Sequence, residues 1–279
     1  MTSQQHAIEC LQPQRVAALG RLAVACPEGR SRVSRLLQEG AAKIRLPRSA
    51  GAPLEAVLIN TAGGLTGGDR IDWEVEAGPQ TRISITTQAC ERAYRSGGGN
   101  AMVGSRLVLG AGASLAWLPQ ETILYDRSAL TRSLDVEMAR DARLLVVEPV
   151  ILGRTAYGET ATLAHFRDRW RVWAGGALVH AEQLALGPAM ARQMQRSVFG
   201  GGNRAFATML LIGPDAERLL EPLRDRLGSD GGASHWRIGD TGKLLARLVA
   251  ADGYALRRRL VPALELLNGQ APLPRLWSS

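Results

Sequence analysis

The stretch richest in groups able to do chemistry runs Asn60-Thr61-Ala62-Gly63-Gly64-Leu65-Thr66-Gly67-Gly68-Asp69-Arg70. Gly63 and Gly68 have the separation of the outer glycines of a phosphate-binding loop, but such a loop needs Lys and then Ser or Thr after the second glycine. Asp69 and Arg70 stand there instead, and a carboxylate at that point repels a phosphate. Ile71-Asp72-Trp73-Glu74-Val75 then alternates like a strand, not a helix. Two readings of the loop remain open: a tight connection between strands, where glycine permits positive φ or close backbone approach, and a partner-contact loop carrying Asp69.

A second polar block, Thr86-Thr87-Gln88-Ala89-Cys90-Glu91-Arg92-Ala93-Tyr94-Arg95-Ser96, follows a clean strand pattern and precedes Gly97 to Gly99. It reads either as a surface strand end or as part of a hydrated polar channel. On a central strand Thr86, Thr87 and Gln88 would need hydrogen-bond partners, because each unpaired buried group costs roughly 1–3 kcal/mol. The four histidines, His6, His165, His180 and His235, fall in no motif with a nucleophile, and neither G-x-S-x-G nor H-E-x-x-H occurs. Cys10, Cys26 and Cys90 fit no metal or redox spacing and read as reduced thiols of a cytosolic protein. Glu121, Glu148 and Glu159 could pair as glycosidase carboxylates on a β-helical scaffold, but spatial pairing is not visible in a sequence. The expectation is a protein that is not an enzyme.

The elements that must position these groups are short. Period-two alternation is clear in Arg82 to Thr86 and in Ser133 to Met138. Further strands are expected at Val57-Leu58-Ile59, Ser105 to Leu109, Leu144 to Val147 and Ala177 to His180. Their recurrence about every ten residues, with glycine-rich breaks, predicts a mostly β protein of stacked antiparallel strands in the 15–187 part. The 188–279 part is mixed α/β. Helices are expected over roughly Pro188–Val198, from Pro214-Asp215 to a stop at Gly228, and over Tyr254–Leu267, with Pro222 and Pro262 inside the last two patterns. No linker separates the parts, so 1–279 is treated as one domain, and no internal repeat of fixed period is evident.

The chain has 279 residues and a net charge of +8. All its basic residues are arginines except Lys43 and Lys243, and they are spread among 26 acids. The one dense cluster, Arg257-Arg258-Arg259, lies on an expected helix, and no recognition motif accompanies the charge, so nucleic acid is not the expected partner. No apolar run approaches the ~18 residues of a membrane helix, and the polar start Met1 to His6 is no secretory signal. A cytoplasmic location is expected, with no membrane association.

Taken together, five blocks resemble the UreD family of urease accessory proteins, called UreH in some organisms. They are Thr61 to Asp69; Thr86 to Ala89 with Tyr94-Arg95-Ser96; Leu118-Pro119-Gln120-Glu121-Thr122-Ile123; Leu152-Gly153-Arg154 with Gly158-Glu159; and Leu273-Pro274-Arg275-Leu276-Trp277. Arg92 stands where members often have Lys, and the signature is faint before residue 50. The resemblance implies a β-helix-like body with a few helices. It also implies a complex with UreF and, through it, the GTPase UreG, docking on apo-urease to assist nickel insertion along a polar internal path; the alternative is a purely structural adaptor bridging UreF and urease. No tightly bound cofactor is expected, only transient nickel(II), for which scattered carboxylates suit a conduit better than a closed four-ligand site. Asp69 and Glu159, with Glu121 and Glu148 behind them, are the expected path carboxylates. Thr86, Thr87, Gln88, Arg95 and Arg154 are expected in the polar or partner network, the two arginines tying loops together.

Overall fold

The computed structural model describes residues 14–47, 53–154, 157–269 and 271–277; His6, Cys10 and the N-terminal hexapeptide lie outside them. In chain order the strands are β1 Ala17–Ala25, β2 Arg32–Glu39, β3 Ala42–Arg45, β4 Leu54–Asn60, β5 Arg70–Ala77, β6 Arg82–Thr87, β7 Glu91–Ala93, β8 Ala101–Leu109 and β9 Ser114–Leu118. There follow β10 Thr122–Leu124, β11 Ala129–Met138, β12 Arg143–Leu152, β13 His165–Ala174, β14 Ala177–Leu186, β15 Ala205–Ile212, β16 Gly231–Ile238 and β17 Thr241–Ala250. The helices are α1 Met190–Met194, α2 Leu220–Leu227 and α3 Gly253–Asn268.

Each turn of the chain lays one strand in each of two facing sheets and then crosses a short third side. One sheet orders its strands β14-β13-β11-β8-β5-β1-β2, and the other β16-β17-β15-β12-β9-β6-β4-β3 with β10 and β7 attached. The chain is thus mostly β and built of stacked coils, as expected, but the strand direction within the coils differs from the expectation. β5, β8, β11 and β13 run parallel, as do β4, β6, β9 and β12. Antiparallel pairs close the ends, at β1–β2, β13–β14, β3–β4 and through β15, β16 and β17.

The reason is physical. Alternation reports a half-buried face and carries no information on strand direction. The glycine-rich breaks read as hairpins are corners that pass the chain to the opposite sheet. At one corner Gly110 donates its amide to Ala77 O at 2.8 Å, and a Cβ on Gly110 would lie 2.8 Å from the Pro79 nitrogen, so the coils stack this closely only over glycine. The coils also create a repeat in space that the residues do not advertise. Side-chain hydrogen bonds join Asn60 to Glu91, Cys90 to Glu121, Arg106 to Glu137 and Trp117 to Glu148, each pair 31 residues apart.

Between the sheets the inward positions form one apolar core, including Ile71, Val75, Ile83, Ile85, Leu107, Leu134 and Val146. A second core lies outside the larger sheet, where Leu118, Leu145, Val147, Met209 and Leu211 meet Leu223 and Leu227 of α2 and Leu256, Leu260 and Leu264 of α3. β12 is therefore buried on both faces, which explains its continuous apolar run. Helix α3 begins where the Asp252 carboxylate accepts the Ala255 amide at 2.8 Å, and it runs past Pro262. α2 starts later than expected, because Pro214 to Leu219 form turns; it stops at Gly228, whose φ of 59° suits glycine. α1 occupies only the middle of the expected 188–198 helix. Among the described residues no helix is long and apolar enough to cross a membrane.

Candidate functional site

Polar groups gather at three places. The first is the short third side of the coil, where Leu65 bridges Ala93, and β7 and β10 lie parallel beside the end of β12. The glycine-rich loop folds back onto this side. Asp69 is buried, and its carboxylate accepts the amides of Val16 at 2.8 Å and Thr66 at 2.7 Å, so both oxygens hold main chain. Gly64 has φ of 147°, and a Cβ there would lie 2.3 Å from the Tyr94 ring and 2.8 Å from the Arg92 carbonyl; the glycine permits the loop to meet this block. Tyr94 donates its hydroxyl to Gly63 O at 3.3 Å, and Thr66 donates to Arg95 O at 2.8 Å. Arg95 thus joins the loops through its carbonyl. Arg154 ties its loop through its guanidinium, 2.7 Å from Glu159 and 4.6 Å above the Tyr125 ring. The Arg154 hydrogen bond holds the Glu159 carboxyl below its ordinary range, and Glu159 also accepts the Asp126 amide at 3.4 Å.

The second place is the outer face of the larger sheet, beneath α3 and the C-terminal turn Arg275–Trp277. Glu121 is buried and accepts from Arg257 of α3 at 2.7 Å; Arg257 also donates to Gln120. The Gln120 side chain donates to the Thr86 hydroxyl at 3.4 Å, and its amide donates to the Thr87 hydroxyl at 2.9 Å. Gln88 is exposed and takes no part. Cys90 donates its thiol to Glu121 at 3.3 Å; burial and the neighbouring Glu121 charge push that thiol up to about 12, so it stays protonated near neutrality. Three of the five blocks converge here.

The third place is the coil interior. Arg132 of β11 is buried and donates to Glu148 of β12, to Asp168 of β13 at 2.5 Å and to the Thr122 hydroxyl at 3.2 Å. Trp117 donates its indole N–H to Glu148 at 2.9 Å, and the Phe166 ring lies 5.3 Å from the guanidinium. Burial pushes the Glu148 carboxyl up to about 7, against the pull of Arg132. The Arg132 guanidinium, resisted by burial, is held charged by Asp168 and Glu148. Arg132 Nε, Asp168 Oδ1, Trp170 Nε1, Ser128 Oγ and His180 Nε2 are buried without a protein hydrogen-bond partner. His180, whose pKa burial pushes down to about 4 with Lys243 and Arg247 adding to the effect, is neutral at physiological pH.

The four expected carboxylates therefore do not converge. Asp69 and Glu159 lie on the short side, Glu121 beneath α3 and Glu148 in the interior. Among the described residues no three His, Cys, Asp or Glu side chains form a group that could hold a metal ion. Sequence reasoning reached Glu148 but passed over Arg132 and Asp168, although a signal existed. Arg132 is in phase with Leu130, Leu134 and Val136, and Asp168 with Phe166, Trp170 and Val172. A charge at a core-facing phase of a strand is the mark of a buried polar cluster.

The Glu148 proton makes stability depend on pH. The folded state binds it more tightly than the unfolded chain does, so the stabilisation it provides is complete below about 4.5 and is lost as pH rises through about 7. Glu148→Gln cannot titrate, and its melting midpoint is expected to fall less than the wild type's across that interval. His180 shifts with the opposite sign, but equally in both proteins, so it cancels from the comparison; parallel curves would refute the assignment.

Coils, an interior ion cluster and a helix-covered outer face define a β-solenoid scaffold whose polar residues fasten its loops and helices. The chain matches the family model described as UreD urease accessory protein over residues 17–278. It is 53% identical over 268 residues to urease accessory protein UreD 1 of Brucella abortus biovar 1 (strain 9-941), covering 96% of each chain. Urease accessory protein UreD of Mesorhizobium japonicum is 54% identical over 265 residues, 95% of each, and UreD 1 of Brucella anthropi 54% over 272 residues, 96% of each. The chain belongs to the UreD family of urease accessory proteins.

Proposed function

We propose that this chain is a non-catalytic urease maturation factor of the cytoplasm. With UreF and, through UreF, the GTPase UreG, it docks on apo-urease and assists nickel insertion, the coil interior offering the ion a polar route. The observation that carries the route is the cluster of Arg132, Glu148 and Asp168 within a largely apolar core that also buries Ser105, Ser128 and His180. A packed β core gains nothing from such groups unless they are satisfied. Of the interior atoms lacking protein partners, Asp168 Oδ1, Ser128 Oγ and the neutral His180 Nε2 can accept from ordered water or from the waters of a hydrated cation, while Arg132 Nε and Trp170 Nε1 can only donate to water. Two carboxylates around one arginine hold an ion less tightly than a closed ligand set, and a carrier must release what it binds.

A second reading, the structural adaptor, has its own support. Asp69, Glu121 and Glu159 are each engaged by main-chain amides or arginines that fasten loops and α3. The two readings separate on Glu148→Gln, which keeps the shape and the Trp117 bond but removes the charge and the Arg132 acceptor, so nickel is compared at a temperature where the variant is shown by melting to be folded. Urease co-expressed with the accessory set carrying this variant is expected to contain several-fold less nickel per active site by elemental analysis, with the complex still co-purifying. Full nickel loading would remove the route and leave the adaptor.

A further inference from the structure

The short side of the coil is more than a join between loops, because it presents arginine and tyrosine outward. Tyr94 and Tyr125 meet edge to face with centroids 5.0 Å apart, and the Arg154 guanidinium lies over Tyr125 at 4.6 Å and Tyr157 at 5.2 Å. Tyr157 is 79% exposed and Tyr94 37%. Arg95 bridges Ser128 on the next coil, and Ser96 donates its amide to Arg127 O at 2.9 Å, so Arg95 and Arg127 lie on neighbouring coils.

The charge on this side is balanced only in part from within. Arg154 pairs with Glu159, and Arg127 reaches Asp126 only at 3.7 Å. Arg92 and Arg95 are exposed and form no ion pair among the described residues. Glu91, between them and the core, is held instead by Asn60 at 3.1 Å. Exposed Arg and Tyr on a rigid sheet edge are the residue types that dominate protein–protein binding energy.

We propose that this side of the coil, carrying Arg92, Tyr94, Arg95, Arg127, Arg154 and Tyr157, is a docking surface for an acidic segment of a partner protein in the assembly. The proposal rests on the maturation reading above and adds to it a face and the chemistry of what binds there. Guanidinium groups take carboxylates through paired N–H donors, and several of them on one face suit a segment that carries several carboxylates. Single-stranded nucleic acid fits less well. Arg154 covers Tyr125, and Tyr94 and Tyr125 meet edge to face, which leaves Tyr157 as the freely exposed ring of the three, whereas a strand of bases stacks on a succession of open rings.

The test uses the full chain and three probes: a fluorescein-labelled octaglutamate peptide, a single-stranded oligonucleotide and vesicles of phosphatidylcholine with phosphatidylglycerol. The wild type is expected to bind the peptide. Arg92→Glu with Arg95→Glu is expected to weaken that binding roughly tenfold or more, while Arg92→Lys with Arg95→Lys loses less. Unchanged melting shows that the exposed substitutions leave the fold intact. In parallel, tagged chain is co-expressed with the accessory set and urease. Wild type retaining apo-urease while the Glu variant loses it supports the docking face. Equal retention by both overturns the face and leaves the maturation reading standing; retention by neither overturns both. Stronger binding of the oligonucleotide or vesicles than of the peptide also overturns it.

Discussion

Arg132→Met is expected to destabilise the protein by about 3–5 kcal/mol, because removing one member of a buried ion cluster leaves the others uncompensated. For a chain of this size that corresponds to a fall of roughly 10 °C in melting midpoint. Arg132 donates to Glu148, Asp168 and Thr122, and little water reaches those carboxylates, since Glu148 and Asp168 are each 6% exposed. The energy arises from the orphaned anions, so a second variant isolates it. Arg132→Met with Glu148→Leu and Asp168→Leu fills the same space with apolar groups and is expected to recover most of the lost midpoint, short of the wild type by the Trp117 indole N–H left without its acceptor. Urease matured with that triple variant is nonetheless expected to lack nickel. Stability then recovers while delivery does not, which no purely structural account of the cluster allows. Wild-type melting by Arg132→Met alone would show that water already compensates the carboxylates.

Much of the scaffold could be read from the residues alone, and the losses have identifiable causes. Ile71, Trp73 and Val75 alternate with Asp72 and Glu74, and β5 follows that pattern inward and outward. Leu256, Leu260, Leu264 and Leu267 recur at helical spacing, and α3 buries all four. Strand direction was lost because a parallel rung and a hairpin strand share the same period. The coil repeat was lost because it is written in backbone register and not in residue identity: Asn60, Cys90 and Trp117 have nothing in common except a partner one coil away. At the site, block membership found Glu121 but could not show that its neighbour Thr122 serves a different cluster. Consecutive strand residues face opposite sides, and here Glu121 meets Arg257 outside the sheet while Thr122 meets Arg132 inside it. Arg132 and Asp168 belong to none of the blocks, and only the phase of their strands betrays them.

Trp277→Ala is expected to be the other severe substitution, at about 3–5 kcal/mol, and its effect should spread in a definite direction. Trp277 is 2% exposed within the core between the larger sheet and α3. Its indole donates to Leu118 O at 2.9 Å, and its ring lies 5.2 Å from the Arg257 guanidinium. Truncation opens a cavity, leaves the Leu118 carbonyl unpaired and takes away the platform that orients Arg257 toward Glu121 and Gln120. Trp277→Phe fills most of the space and loses the hydrogen bond, so a smaller cost of roughly 1–3 kcal/mol follows from the unpaired carbonyl. Cys90 reports on the disturbance, because its thiol donates to Glu121 and is kept protonated by burial and that charge. With Cys10 and Cys26 replaced by serine, Cys90 in the Trp277→Ala protein should react with a thiol reagent faster than in the wild type, as water reaches the thiol and its thiolate fraction rises. Faster labelling together with the lower melting midpoint would establish that the C-terminal turn clamps α3 over the Glu121 cluster. Unchanged labelling despite a lower midpoint would mean that Arg257 keeps its position without the ring, and that Glu121 alone holds the helix.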